Sequence, residues 1–368
     1  MAEETITEKD WYSIPFPSFG EFNWLFASDP GTYKSVMLCR LLAYFHAHNF
    51  KICITEAKDY DMLNASRTGG GWRLHPNEYP TSVPVVGCIP TFASTQKTVG
   101  KLTKDILTRF NHEYTTKLSS LQEYMEWVNL MGVTEISANI CHSLIRDGTV
   151  KTIHEMVNFF EKQPKIHNQV KMAVLTRMYR FVADDVFDVE GKEEIDISKF
   201  WDENLIPVKC YFLREEPYQQ LDVGKTIQSE FLYSERMKHA GKPVKMLNIW
   251  DDCQSYFTRE EENWASKMAL RSIQMGRSRG FNNIFVIQNP MAIPPMLRES
   301  WTDIFLGYMQ NYAGFDFIDS DILFWVKENR SMFSMDDKTG KKDVPYMHLN
   351  RYRKAQLFFP GGSICGYF

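Results

Sequence analysis

Apolar positions along the chain alternate between two spacings, and the order of those spacings outlines the fold. Residues 22–28, FNWLFAS, form a short continuous apolar run that closes on small residues, the pattern of a buried strand. SVMLCRLLAYFHAHNF follows, with Val36, Leu38, Leu41, Leu42 and Phe45 at helical spacing. KICITEA (51–57) then predicts a second strand. Strand, glycine-containing loop, helix and strand make a βαβ start, and that unit implies a parallel sheet.

Residues 61–95 carry RTGGGWRLHPNEYP and further prolines, which predicts irregular structure. From about 96 to 185 the texture changes to long, nearly glycine-free segments of helical period, KLTKDILTRFNHEYTTKLSSLQEYMEWVNLMG and TIHEMVNFFEKQPKIHNQVKMAVLTRMYRFVADDV, so an all-helical insertion is expected. The α/β alternation then resumes. PVKCYFL (207–213) predicts a strand, 217–239 a helix, KMLNIWDD (245–252) a strand, 259–275 a helix, and FNNIFVIQNP (281–290) and DIFLGYM (303–309) two more strands. The tail KAQLFFPGGSICGYF suits a terminal hairpin or edge strands. The expected organisation is an α/β core in two parts, 1–95 and 191–368, split by a helical insertion at 96–190.

Composition narrows the class. The chain has 368 residues, 44% of them hydrophobic and 24% charged, enough for one large domain or two modest ones. A net charge of −4 gives no global basic field, so any polyanion site has to be a local patch. Cys39, Cys53, Cys88, Cys141, Cys210, Cys253 and Cys365 are scattered without a CxxC pair, as reduced thiols in a cytosol would be. No apolar run approaches the roughly 20 residues needed to cross a bilayer, and MAEETITEKD is unlike a targeting segment. The expectation is a soluble, cytoplasmic protein without stable membrane insertion.

Three segments carry candidate chemistry. SDPGTYKS, residues Ser28, Asp29, Pro30, Gly31, Thr32, Tyr33, Lys34 and Ser35, lies across the GxxGxGK[ST] spacing of a phosphate-binding loop. Such a loop cradles phosphates on backbone N–H groups at a helix start, neutralises them with lysine and ligates Mg²⁺ through the hydroxyl. Gly31 and Lys34-Ser35 match, whereas Ser28 and Tyr33 replace the outer glycines. The alternative is a plain βα turn capped by Ser28 or Asp29.

A phosphate loop needs a carboxylate partner at the end of a neighbouring buried strand. KMLNIWDD ends in Asp251, placed to hold the Mg²⁺-bound water, and Asp252, placed to polarise the attacking water. The alternative is two aspartates opening a loop. The third segment, QMGRSRGFNNIFVIQNP, runs from Arg277 and Arg279 to Gln288 at a strand tip. Ligands of open α/β sheets bind at strand carboxyl ends, so Gln288 could sense the γ-phosphate or the lytic water. An arginine at the far end of that strand would reach only a neighbouring subunit's nucleotide. Turn chemistry and a solvated loop are the alternatives for Gln288 and for the arginines.

The order of these segments, with QSEFLYSERMKHAGKPVKMLNIWDD and GRSRGFNNIFVIQNPMAIPPMLRESWTDIFLGY, resembles the HerA/FtsK superfamily of P-loop ATPases with a degenerate Walker A. The resemblance spans 22–58 and 205–312 and implies a RecA-like P-loop core with a mainly parallel sheet. It implies that Lys34 and Ser35 bind phosphate and Mg²⁺, that Asp251 binds Mg²⁺, that Asp252 is the catalytic acid and that Gln288 is the sensor. Arg277 or Arg279 would then be the trans arginine finger. It further implies ATP as the fuel, double-stranded DNA as the track and a homo-hexameric ring, with a portal, membrane or capsid component as a possible further partner. Small size and divergent motifs favour a viral or mobile-element packaging motor. A nucleotide-binding scaffold with weakened turnover, motivated by Tyr33, and a secretion or assembly ATPase of the filamentous-phage type are the competing readings.

Local DNA-binding signals are sparse. Lys97, Lys101 and Lys104 share a helical face, and KQPKIHNQVKMAVLTRMYR is rich in basic side chains, but solvated helix faces look the same.

Overall fold

The computed structural model describes residues 22–29, 34–58, 62–63, 83–94, 109–122, 127, 134–212, 216–258, 263–333, 346–350 and 355–358. Its strands are β1 (Asn23–Ala27), β2 (Phe50–Glu56), β3 (Val85–Pro90), β4 (Phe110–Tyr114), β5 (Ile206–Cys210), β6 (Lys245–Asp251), β7 (Phe281–Ile287), β8 (Asp303–Leu306), β9 (Tyr346–Leu349) and β10 (Ala355–Phe358). Its helices are α1 (Lys34–Ala47), α2 (Thr91–Ser94), α3 (Glu135–Arg146), α4 (Ile153–Lys162), α5 (Asn168–Ala183), α6 (Ile197–Asp202), α7 (Glu216–His239), α8 (Trp264–Arg279), α9 (Pro295–Arg298) and α10 (Ser320–Glu328). The strands form one sheet in the order β10-β9-β8-β1-β7-β6-β2-β5-β3-β4. Every pairing from β8 to β4 is parallel, and only the β8–β9 and β9–β10 pairs are antiparallel.

Strand periodicity divides the apolar residues between two faces. Trp24, Phe26, Ile52, Ile54, Leu247, Ile249, Ile284 and Val286 share one cluster with Leu38, Leu41, Leu42 and Phe45 of α1. Leu25, Ala27, Cys53, Met246, Trp250, Phe285 and Ile287 face the other way, onto α7 and α8 through Leu221, Ile227, Met268 and Ala269. The second cluster runs on into the insertion through Met156, Phe160, Val174 and Met178. Both faces are covered, which is why β1 and β7 read as continuous apolar runs.

A buried polar row fixes the register at the centre of the sheet. Asn283 Nδ2 donates to Asn23 Oδ1 (2.9 Å), Trp250 Nε1 donates to Asn283 Oδ1 (3.2 Å), and Asn248 Nδ2 donates to Glu230 Oε2 (2.8 Å). A one-residue slip would leave these groups unpaired away from water, at about 1–3 kcal/mol each.

Two sequence expectations are corrected. The stretch 61–95 is not wholly irregular, because Val85–Pro90 is a parallel strand between β5 and β4. Its prolines mark strand ends: Pro84 lies just before it, and its carbonyl accepts from Ile206 N at 2.9 Å. The segment 96–190 is not helical throughout either. Phe110–Tyr114 is an edge strand of the sheet and Leu118–Leu121 a 3₁₀ turn, and α3, α4 and α5 occupy 135–183. Edge position allows β4 to expose Asn111 and His112, so it lacks the apolar run that flags a central strand. The antiparallel edge pairs Tyr346–Leu349 with Ala355–Phe358, so its first strand lies N-terminal to the segment read as a hairpin. The segment 359–368 and Lys97, Lys101 and Lys104 lie outside the described residues.

Candidate nucleotide site

The three motif-bearing strands are neighbours, in the order β1-β7-β6, with β2 beside β6. All run parallel, so their carboxyl tips open on the same edge. That edge gathers Ser28 and Asp29 after β1, Gln288 after β7, and Asp251 and Asp252 at the end of β6.

The loop after β1 is held from two sides. Ser28 N donates to Ile287 O (3.2 Å), and Asp29 N donates to Tyr308 O (2.8 Å). Asp29 Oδ2 accepts from Gln310 N at 2.7 Å, which ties the loop entry to the segment after β8. Ser28 is fully buried and presses against Gly307, where an added Cβ would lie 2.7 Å from Ser28 Cβ and 2.9 Å from Tyr346 Cε1. Pro30, Gly31, Thr32 and Tyr33 lie outside the described residues, as does the Ser35 side chain.

Helix α1 begins at Lys34, so its first N–H groups face the loop, where a helix start offers donors to an anion. Lys34 is buried at 9% exposure, and its ammonium donates to Ser28 O (2.7 Å) and Asp29 O (3.0 Å). Burial pushes its pKa down, Asp251 and Asp252 pull it back up, Lys58 lowers it and Asp29 raises it. A buried lysine resting on loop carbonyls beside two aspartates is placed to take an anionic ligand.

Asp252 is the most constrained of the acids. Its backbone is left-handed (φ 46°, ψ 42°), a conformation that aspartate tolerates better than most residues. It turns the chain from β6 into a short 3₁₀ turn, and its N–H donates to Asp251 Oδ1 at 3.1 Å. Asp252 Oδ1 accepts from Gln288 Nε2 at 2.7 Å and from Gln254 Nε2 at 3.3 Å. Asp252 Oδ2 pairs with Lys58 Nζ at 3.0 Å. Tyr256 OH donates to Asp251 O (2.8 Å) and Thr55 O (3.2 Å), bracing the β6 tip against β2.

The structure therefore brings together Ser28, Asp29, Lys34, Asp251, Asp252 and Gln288. It does not bring Arg279 to them. Arg279 closes α8 before Gly280, whose left-handed φ of 73° lets the chain turn under Val244 O into β7. Seven strand residues, on the order of 20 Å, separate that end of β7 from Gln288. Arg279 is ion-paired with Glu235 there. The Arg277 side chain lies outside the described part of α8.

Sequence reading missed Lys58 and Gln254. Lys58 follows the β2 tip by two residues, and Glu56 at that tip is in register with Asp251. A cation just past a strand next to the acidic strand is the signal that could have found it. Gln254 leaves no such signal, because its place depends on the left-handed turn at Asp252.

The donors present suit Mg²⁺ with a polyphosphate. Asp251 supplies a carboxylate at the strand tip, Ser35 lies in the first turn of α1, and hard oxygen ligands of this kind are what Mg²⁺ takes. Among the described residues, no group of three or more His, Cys, Asp or Glu is placed to hold a metal ion.

No protein-family model matches the chain, and no curated protein is significantly similar to it in sequence. Solved structures do match. VirB4 of Thermoanaerobacter pseudethanolicus superposes with a TM-score of 0.55 at 10% identity, covering 91% of this chain and 88% of VirB4. This chain has the VirB4 fold. The core is a RecA-like P-loop α/β core. Looser matches are the conjugative coupling protein TrwB (TM-score 0.46, 12% identity, 82% of this chain and 75% of TrwB) and the genome packaging NTPase B204 of Sulfolobus turreted icosahedral virus 2 with AMPPCP (0.40, 9%, 92% and 97%). Within this sheet, the sequence motifs fall at the carboxyl edge, apart from the arginines, which close a helix at the opposite edge.

Proposed function

We propose that this chain is an ATP-driven double-stranded DNA translocase of HerA/FtsK type, acting as a homo-hexameric ring that packages a viral or mobile-element genome. The observation that carries the reading is the convergence of Lys34, Asp251, Asp252 and Gln288 on the tips of adjacent parallel strands. In this reading Lys34 and the α1 N–H groups take the β- and γ-phosphates. Ser35 and Asp251 would hold Mg²⁺, which neutralises phosphate charge when bound. Asp252 orients and deprotonates the attacking water, and Gln288 couples the γ-phosphate position to Asp252 through their hydrogen bond.

Arg279 supports a ring. It lies at the edge of the sheet opposite its own chain's site, so in a ring it would serve a neighbouring subunit's nucleotide, and its partner Glu235 is 44% exposed and could release it. Such a finger contributes on the order of 10³–10⁵ in rate where it is used. No helix among the described residues is long and apolar enough to cross a membrane.

The test is ATP hydrolysis by the purified protein with and without double-stranded DNA, beside Lys34→Ala, with the oligomeric state measured in parallel. Stimulation by DNA of a ring-forming wild type, lost in Lys34→Ala, is expected. Hydrolysis indifferent to DNA would replace the DNA motor with the secretion or assembly reading. Nucleotide binding without turnover under any condition would replace it with the scaffold reading.

A further inference from the structure

Both carboxylate oxygens of Asp252 are engaged by side chains. Gln288 and Gln254 share Oδ1, while Oδ2 is held by Lys58 alone. An ammonium paired on Oδ2 offsets the charge with which that oxygen would polarise a water, and the displacement of one side chain, Lys58, frees a whole oxygen. Lys58 is suited to move. Its side chain is 32% exposed, against 10% for Asp252, and it carries a compact ammonium on a flexible four-carbon stem. Its charge also bears on Lys34, so both ammonium groups border the same space between the tips of β1, β6 and β2.

We propose that Lys58 is a γ-phosphate-operated latch: it closes on Asp252 Oδ2 when the site lacks a terminal phosphate and transfers to that phosphate when ATP is bound, opening the Asp252 oxygen toward water. The inference rests on the ATPase reading above. The driving force is charge. A bound triphosphate brings a terminal group with two ionisable oxygens into a space that already holds Asp251 and Asp252, and a second cation beside Lys34 offsets the crowding. A diphosphate lacks that group, so Lys58 stays on Asp252. No bond is made or broken by the latch itself.

Equilibrium titration with fluorescent ADP and with ATPγS, both with Mg²⁺, tests this on wild type, Lys58→Met and Lys58→Arg. Lys58→Met is expected to weaken ATPγS about tenfold, the scale of a charge-assisted hydrogen bond, while ADP affinity stays within about twofold. Lys58→Arg is expected to restore most of the loss. Retained ADP binding shows that the variant is folded; should Lys58→Met not fold, Lys58→Gln is read by the same ratio. Equal weakening of both nucleotides, or of neither, overturns the latch while leaving the ATP site in place. A wild type that binds neither nucleotide overturns the ATP site and the latch together.

Discussion

Two lysine–aspartate pairs lie on the carboxyl-terminal half of this sheet, and their surroundings are opposite. Lys209 of β5 and Asp222 of α7 are 0% and 4% exposed, and the hydroxyls of Tyr114 (2.8 Å) and Tyr211 (2.6 Å) also donate to Asp222 Oδ2. Lys209 donates further to Thr226 and lies 5.1 Å from the centre of the Tyr114 ring. Lys58 and Asp252 are 32% and 10% exposed and share their carboxylate with two glutamine amides. The first pair joins a helix to the sheet in a dry setting, where losing one partner strands a charge. The second sits at a wet edge, where the same chemistry is weak enough to exchange. The fold holds by pairs of the first kind and would work by the second.

The comparison breaks first at Lys209. Lys209→Met should cost about 3–5 kcal/mol in urea or thermal unfolding, because Asp222 stays buried without its cation. A loss under about 1 kcal/mol would make the two pairs alike.

Glu230 sharpens the picture of the closed region through pH. Burial raises its carboxyl from 4.5 to about 8, with the Asn248 hydrogen bond and Lys209 opposing the shift. The folded chain therefore keeps a proton that the unfolded chain releases. That stabilisation is complete below pH about 4.5 and disappears as pH rises to about 8, a few kcal/mol in all. The unfolding free energy of wild type minus that of Glu230→Gln should fall over that window and level off above it.

At the site itself, Gly307→Ala should cost about 1–3 kcal/mol by forcing Ser28 and Tyr346 aside. It should also weaken nucleotide binding, since Ser28 opens the loop. The smallest stability effect belongs to Lys58→Met, under about 1 kcal/mol for a pair with one solvated partner. A loss as large as that of Lys209→Met would mean that Lys58 is structural.

Much of this arrangement was legible in the chain. The apolar runs of β1, β6 and β7 and the period of α1 set the central sheet, because buried parallel strands announce themselves. The tips followed, since Ser28, Asp251 and Gln288 each end such a run. The edges were not legible. β4 carries Asn111, His112 and Glu113 on a half-exposed strand, and β3 hides between Pro84 and its own last residue, Pro90, so neither has a clean period. Lys58 and Gln254 were missed because their roles arise from chain turns beyond strand ends, where a left-handed aspartate sets direction and no periodicity survives. Arg279 was assigned to the start of a strand, yet it ends α8; Gly280 after it is a helix cap, and a glycine following a basic last turn was the available sign.

The most direct measurement is steady-state ATP hydrolysis by wild type and Asp252→Asn at saturating Mg²⁺ and ATP. Turnover in wild type, with kcat lower by about 10²–10⁴ in Asp252→Asn and nucleotide still bound by both, is the expected result for a carboxylate that handles the attacking water. Turnover in Asp252→Asn at the wild-type rate, or none in either protein, would contradict it.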